Sequence, residues 1–406
     1  MKFKPANNIQ DLQYFGEFGG VNPSISDSST YTFLSAKTMF DTFEGNADGC
    51  YLYSRHTSPS NLYLGEALAA MEGTETANVS ASGMGAITPV LLQLCAAGDH
   101  VVSSRTIYGG TYAFLKNFTP RFDITTSFVD ITKLDLVEAA ITKNTKVLYC
   151  ESVSNPLLEV ADIKGLAALA KKYGLKLVVD NTFSPLSISP AKLGADIVIH
   201  SLTKFINGSS DTVGGVVCGS QEFINALKDV NSGASMLLGS TMDSLRSASV
   251  LKNLRTLHIR MEQHSKNALY LAEQFQNLGL KTVYPGLISH PSHTIFKSMM
   301  NQKYGFGGML TIDVGSLDKA NALMEMMQHK NLGYLAVSLG FYKTLFSAPG
   351  TSTSSEIPED EQTDMGLTDG LIRFSIGLDA DIERTFKMMK ACMEHVGVLE
   401  LASEMV

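Results

Sequence analysis

Residues 178–219 read VVDNTFSPLSISPAKLGADIVIHSLTKFINGSSDTVGGVVCG. Asp180 closes one apolar run, LKLVV, and the cluster Ser201–Lys204 closes the next, ADIVIH. Both runs are short, β-branched and nearly free of charge, as strands buried on both faces of a parallel sheet would be. Ligands of open parallel sheets sit outside the carboxyl ends of the strands. Asp180 and Lys204 are therefore expected to face one crevice. Taken singly, a Lys after a strand is an ordinary solvated loop residue, and an Asp there is an N-cap or an Asx turn. The specific signal is the pair, one αβ interval apart, with Ser201 and Thr203 beside the Lys. A lysine, a remote carboxylate and hydroxyls suited to a phosphate are the set that pyridoxal phosphate requires.

Outward from this stretch, helix and strand alternate from about residue 60. LYLGEALAAMEG reads as a helix stopped at Gly73. TANVSAS, DHVVSS, DITTSFVD and TKVLYCES read as strands, with LDLVEAAITK and IKGLAALAKKYG as helices among them. This alternation implies right-handed crossovers and a mostly parallel sheet covered by helices on both faces. After about 255 a long helical stretch leads into the short strands KTVYPG, GGMLTIDV and LIRFSIG. Two helices, DKANALMEMMQHK and DIERTFKMMKACMEHVG, complete a smaller α+β unit. Its methionines are expected to fill core space. The expected division is thus an extended arm over 1–58, an α/β domain over 59–255 and an α+β domain over 256–406. The arm carries Phe15, Phe18, Tyr31, Phe33, Phe40, Tyr51 and Tyr53, too aromatic for a disordered tail, and is expected to pack on a neighbouring subunit. The run TSTSSEIPEDEQTD (351–364) reads as an exposed loop beside the site.

Composition narrows the function. A chain of 406 residues with 44% hydrophobic and 18% charged residues is ordinary for a globular protein of two packed domains. The net charge of −8 speaks against an electrostatic nucleic-acid binder. The five cysteines are far apart, with no Cys-x-x-Cys, which suits a reducing compartment and leaves no zinc motif. The pairs His290/His293 and His258/His264 lack a third ligand nearby, so loop or surface histidines are expected, and no metal. The N-terminus has no apolar signal region, and the charge-free stretch between Glu75 and Asp99 is broken by polar residues, glycines and Pro89. A cytoplasmic protein is expected.

Three further features point to chemistry. SASGMGAI puts Gly83 and Met84 at a helix start after a strand, where orphan N–H groups bind an anion. A dinucleotide fingerprint is excluded because Thr88 stands where its third glycine is needed. Arg373 lies inside the apolar run LIRFSIG, and a buried Arg needs an anion, from an internal carboxylate or from a ligand. Tyr108 follows a strand and suits core packing with its hydroxyl at a rim.

The segment DNTF, LGADIVIHS, SLTKF resembles the lysine region of the Cys/Met-metabolism PLP enzymes of fold type I. YLYSRHTSP (51–59), SASGMGAI (80–87), TIYGGTYAF (106–114), ESVSNP (151–156), YPGL (284–287), AVSLG (336–340) and LIRFSIG (371–377) resemble further blocks of that family, in its order and over nearly the whole chain. The resemblance implies that Lys204 carries the cofactor and serves as base, while Asp180 holds its ring nitrogen. Gly83, Met84, Ser201 and Thr203 would hold the phosphate, with Tyr53 and Arg55 reaching it from a neighbouring subunit. Tyr108 would stack on the ring and handle protons for the leaving group. Arg373, with Ser338 and Asn155, would clamp the substrate carboxylate. It also implies a homotetramer built from dimers that share sites. Within the family the chain is most similar to the lyases that eliminate methanethiol from L-methionine, giving 2-oxobutanoate and ammonia. Ala113 stands where lyases of cystathionine tend to carry Arg, which favours an apolar tail near Tyr108, Gly110 and Ala113. Three departures bear on substrate choice: Gly110 replaces a Cys common in bacterial relatives, Lys343 replaces a Glu, and HTSPS replaces the usual N-P-T pattern. The alternatives are a sulfhydrylase of O-acetylhomoserine, a lyase of cystathionine, and a protein of this fold that binds ligand without turnover.

Overall fold

The computed structural model describes residues 3–44, 47, 49–350, 352 and 358–400. Seven strands form the first sheet: β1 (Thr76–Ser80), β2 (His100–Ser104), β3 (Thr125–Val129), β4 (Thr145–Glu151), β5 (Lys176–Asp180), β6 (Ile197–Ser201) and β7 (Gly215–Gly219). Their order is β1-β7-β6-β5-β4-β2-β3. The five strands from β6 to β3 run parallel, whereas β7 is antiparallel to both β6 and β1.

Side chains alternate along these strands, and both faces are dry. Leu177, Val179 and Val198 join the hydrophobic cluster on one face. Val178, Ile197 and Ile199 join the cluster on the other. This two-sided burial is why the runs carry almost no charge until they end. Asp180 lies opposite Ile199 in the β5–β6 register, so the charged ends of both strands emerge at the same edge.

The arm departs from the extended expectation. It contains two short helices, α1 (Pro5–Gln10) and α2 (Ala36–Phe43). The first packs on α3 (Pro59–Glu72). Helix α3 ends at Gly73 in a left-handed conformation (φ 73°), as its sequence predicts. Helix α4 (Gly83–Leu94) begins at the N-cap Ser82, whose hydroxyl accepts the Gly85 N–H at 2.9 Å.

The long helix α5 (Leu257–Asn277) leads to a second sheet. It contains β8 (Lys281–Val283), β9 (Met309–Asp313), β10 (Tyr334–Leu335), β11 (Leu345–Ser347) and β12 (Leu371–Ser375), in the order β10-β11-β12-β9-β8. Helices α6 (Leu317–His329) and α8 (Ile382–His395) join α5 over one face. Met324, Met327, Met389 and Met393 are buried there as core filler. Ile372 and Phe374 also point into that core, so the alternation of β12 turns Arg373 to the opposite face.

Two expectations are corrected. The segment 351–364 is not wholly a loop: Glu359–Met365 forms helix α7, while most of 351–357 lies outside the described residues. The histidines singled out above are not all loop or surface residues. His264 is buried within α5, whereas His290, though buried, lies in a loop, and His264 Nδ1 lies 2.6 Å from the Ile376 carbonyl oxygen. Among the described residues, no helix is long and apolar enough to cross a membrane.

Candidate active site

A cleft of about 230 Å³ opens at the carboxyl ends of β4, β5 and β6. Its wall includes Gly83, Met84, Tyr108, Asn155, Asp180, Ser201, Thr203, Lys204, Ser338 and Arg373. Ten of the residues expected from sequence are therefore brought together. Tyr53 and Arg55 are not. The Arg55 guanidinium stacks near the Tyr53 ring, 5.9 Å from its centroid, and donates to the Met236 carbonyl at 2.9 Å, outside the cleft. Of the expected tail pocket, Tyr108 lines the cleft, but Gly110 and Ala113 do not. Gly110 acts indirectly: a Cβ there would lie 2.6 Å from the Tyr108 ring, so the glycine makes room for that ring.

Lys204 follows β6 and is largely buried. Burial, and secondarily the charge of Arg373, lower its amine to about 8. Its Nζ donates to the Ser338 hydroxyl at 2.8 Å. Ser338 holds a left-handed backbone (φ 86°), a costly conformation for a non-glycine residue and one found where a site fixes the chain.

Asp180 is buried at the end of β5. Its Oδ1 accepts the Thr182 N–H at 2.9 Å and the Thr182 hydroxyl at 2.5 Å. The Thr182 hydroxyl oxygen in turn accepts the Ser201 N–H at 2.8 Å. Burial raises the Asp180 carboxyl above the usual range, against the Thr182 hydrogen bonds and the more distant pull of His200. Among the described residues Asp180 has no ion-pair partner within 4 Å.

Arg373 is buried and donates to Asn155 Oδ1 at 2.7 Å, the Ser347 hydroxyl at 3.4 Å and the Ser338 carbonyl at 3.5 Å. Burial lowers its guanidinium to about 10, still charged near neutrality.

Glu151 and Thr182 also line the cleft, and neither was singled out from sequence. Thr182 had a readable signal, since a hydroxyl two residues after an Asp suits an Asx turn. Glu151 had a weaker one: it ends β4 as Asp180 ends β5, and the two face each other in register. Burial, then the neighbouring Asp180 charge, raise its carboxyl well above the usual range.

Pyridoxal phosphate fits this set. The first-turn N–H groups of Gly83 and Met84 have no intrahelical acceptor, and both residues line the cleft together with Ser201 and Thr203. A Cβ on Gly83 would stand 3.0 Å from the Ser201 Cβ, so side-chain bulk is absent where a phosphate needs space. At the other end, Asp180 is a buried carboxylate that a protonated ring nitrogen would neutralise. Architecture and site together define a pyridoxal-phosphate-dependent enzyme of fold type I.

Comparisons with known proteins narrow the class. The family model for Cys/Met metabolism PLP-dependent enzymes matches residues 7–389, and the chain belongs to that family. Methionine gamma-lyase of Arabidopsis thaliana is 46% identical over 387 residues, covering 94% of this chain and 88% of the relative. Cystathionine gamma-lyase of Bacillus subtilis is 38% identical over 350 residues, covering 85% and 89%. A crystal structure of a putative O-acetylhomoserine (thiol)-lyase from Campylobacter jejuni superposes with a TM-score of 0.89 at 29% identity. It covers 97% of this chain and all of the other, and it contains N'-pyridoxyl-lysine-5'-monophosphate.

Proposed function

We propose that the protein is a carbon–sulfur lyase that converts L-methionine and water to methanethiol, 2-oxobutanoate and ammonia. The observation that carries this reading is the lining of the cleft. Its cationic side chains among the described residues are Lys204 and Arg373, and Ile87, Val153, Phe183, Val213 and Leu339 supply apolar surface. One guanidinium suits one α-carboxylate, and the apolar wall suits an uncharged thioether tail. The resemblance to methionine gamma-lyase along nearly the whole chain supports the same choice.

Bound pyridoxal phosphate supplies the electron sink for a carbanion at the substrate. Gly83, Met84, Ser201 and Thr203 hold its phosphate, and Asp180, oriented by Thr182, holds its ring nitrogen. Arg373, itself held by Asn155, orients the substrate carboxylate. The Lys204 amine, partly neutral near pH 7 because of its lowered pKa, takes the proton from Cα and then serves Cβ. Ser338 orients that amine through its hydroxyl. Tyr108, half exposed at the mouth, delivers a proton to the departing sulfur. Tyr53 and Arg55 complete the phosphate site of a neighbouring subunit, so the working unit is at least a dimer and is completed as a tetramer. Five free cysteines suit a cytoplasmic setting.

A substrate panel tests the reading: methionine, homocysteine, cystathionine, cysteine, and O-acetylhomoserine with sulfide. Methanethiol and 2-oxobutanoate should form from methionine with the highest kcat/KM. Preference for cystathionine, or replacement chemistry on O-acetylhomoserine, would assign one of the sister activities. A cofactor spectrum that changes with methionine without product would reduce the protein to a binder.

A further inference from the structure

We propose that Glu151 is a positioning residue whose single carboxyl fixes the backbone at Tyr108 and the backbone at Asn155, and thereby sets the two sides of the cleft relative to each other. Its Oε1 accepts the Tyr108 N–H at 2.7 Å, and its Oε2 accepts the Asn155 N–H at 2.8 Å. The side chain is buried, lines the cleft and lies at the end of β4. Tyr108 lies in the segment that follows β2, the strand adjacent to β4 in the sheet. Asn155 passes the constraint on, because its Oδ1 receives the Arg373 guanidinium at 2.7 Å. One planar group thus connects the leaving-group side, at Tyr108, with the carboxylate side, at Arg373.

The residue type matters. A carboxyl offers acceptor lone pairs on both oxygens, whereas Gln offers one acceptor and one NH₂. In Glu151→Gln, one buried backbone N–H would face another donor. Asp retains both oxygens but is one carbon shorter and cannot reach both donors from the end of β4. A second carboxylate, Glu159, joins the same two loops outside the cleft. It accepts the Thr106 hydroxyl at 2.6 Å, and its own N–H donates to the Ser154 hydroxyl at 3.1 Å. Loop joining in general can therefore be separated from positioning by Glu151.

The inference rests on the roles proposed for Tyr108 and Arg373, and its test keeps the two apart. The cofactor-loaded protein and its variants Glu151→Gln, Glu159→Gln and Arg373→Leu are compared in three ways. Calorimetry measures binding of L-norleucine, which shares the carboxylate and an apolar tail but has no sulfur to lose. Steady-state kinetics give KM and kcat for methionine. Hydrogen–deuterium exchange follows peptides that contain the Tyr108 and Asn155 amides. Glu151→Gln should weaken norleucine binding and raise KM about tenfold or more, lower kcat as Tyr108 shifts, and speed exchange at one of the two amides. Glu159→Gln should stay within about twofold of the parent in binding and kinetics. If Glu151→Gln does not accumulate folded, Glu151→Asp serves in its place with the same expectation. A folded Glu151 variant with parental binding, kinetics and exchange overturns the proposal. So do Glu159→Gln effects as large as those at Glu151, or failure of both Glu151 variants to fold while Glu159→Gln folds, either of which makes the role general loop stability. If Arg373→Leu binds norleucine normally, the carboxylate reading falls, while amide exchange still decides what Glu151 holds.

Discussion

Lys204 combines two demands on one amine: it must be held in place, here by the Ser338 hydroxyl, and dry enough to lose its proton. Burial and Arg373 lower its pKa to about 8, against about 10.4 for an exposed lysine. The sign is direct: below about 8 the amine is protonated and inert, and above it neutral and nucleophilic. In cofactor-free protein, competitive acetylation across pH 6–11 should therefore give Lys204 a half-reactive point near pH 8, while surface lysines titrate about two units higher. A Lys204 that titrates with the surface set would contradict the burial argument. Asp180 shows how one residue satisfies both readings of its sequence. It caps the Thr182 N–H as an ordinary Asx turn does, yet it also lines the cleft. An amide at this position keeps the turn but cannot balance a ring cation, so Asp180→Asn should fold normally and lose about a hundredfold or more in kcat. Unchanged turnover would leave Asp180 as a cap alone. Arg373 was legible because a guanidinium in an apolar strand demands an explanation. Arg373→Leu should cost about 2–5 kcal/mol in apparent affinity for every amino acid tested, with the order of substrates preserved. Glu151 was not legible in the same way. Its two partners are backbone N–H groups, one four residues on at Asn155 and one in a remote segment at Tyr108, and backbone donors leave no mark on sequence.

At the scale of elements, the loop between β10 and β11 brings Ser338 to the Lys204 amine. Gly340 allows that approach. It holds φ 80°, and a Cβ there would meet the Phe205 nitrogen at 2.4 Å, next to Lys204 itself. Gly340→Ala meets both a conformational penalty and a backbone clash, each about 1–3 kcal/mol. Denaturant titration should show the loss of stability, and the Lys204–Ser338 contact should be displaced in a crystal structure. A variant with parental stability and cofactor retention would show that the loop docks elsewhere. The strands around this loop also show what patterning reveals. Strands β5 and β6 were legible because burial on both faces selects continuous apolar runs. Strand β7, GVVCG, is equally buried, but glycines at both ends and a Ser-rich approach blunt its strand signal, and its antiparallel direction is set by tertiary pairing with β1 and β6. Strands β10 and β11 span only two and three residues, too short for any period to register. Helix α1 is likewise stabilised by its seat on α3 rather than by a long amphipathic pattern.

At the scale of the whole molecule, the arm presents apolar side chains that a lone chain leaves in water. Phe15, Phe18, Val21, Leu34 and Phe40 are all exposed, an arrangement that suits burial against another copy. Tyr53 and Arg55 belong to the same arm and stand away from the cleft of their own chain. An arginine fork matches phosphate oxygens in parallel, and in a dimer with shared sites that fork would reach the neighbour's cofactor. Arg55→Ala should then weaken cofactor retention, with loss of cofactor on dilution as the measure. Mixing supplies the sharper check. At a dilution where Arg55→Ala has shed its cofactor, chains with Arg55→Ala and chains with Lys204→Ala should each be inactive in their own homo-oligomers. In a mixed dimer with shared sites, one site carries both lesions, while the other combines an intact Lys204 with an intact Arg55 from across the interface. Activity should therefore return to about a quarter of the parental value per total chain when equal amounts exchange at random, since half the dimers are mixed and each has one sound site of two. If Arg55 instead served its own chain, each site in the mixed dimer would carry one lesion and no activity would return. Subunit exchange, followed by mass tags on the two chains, must be complete for either result to count.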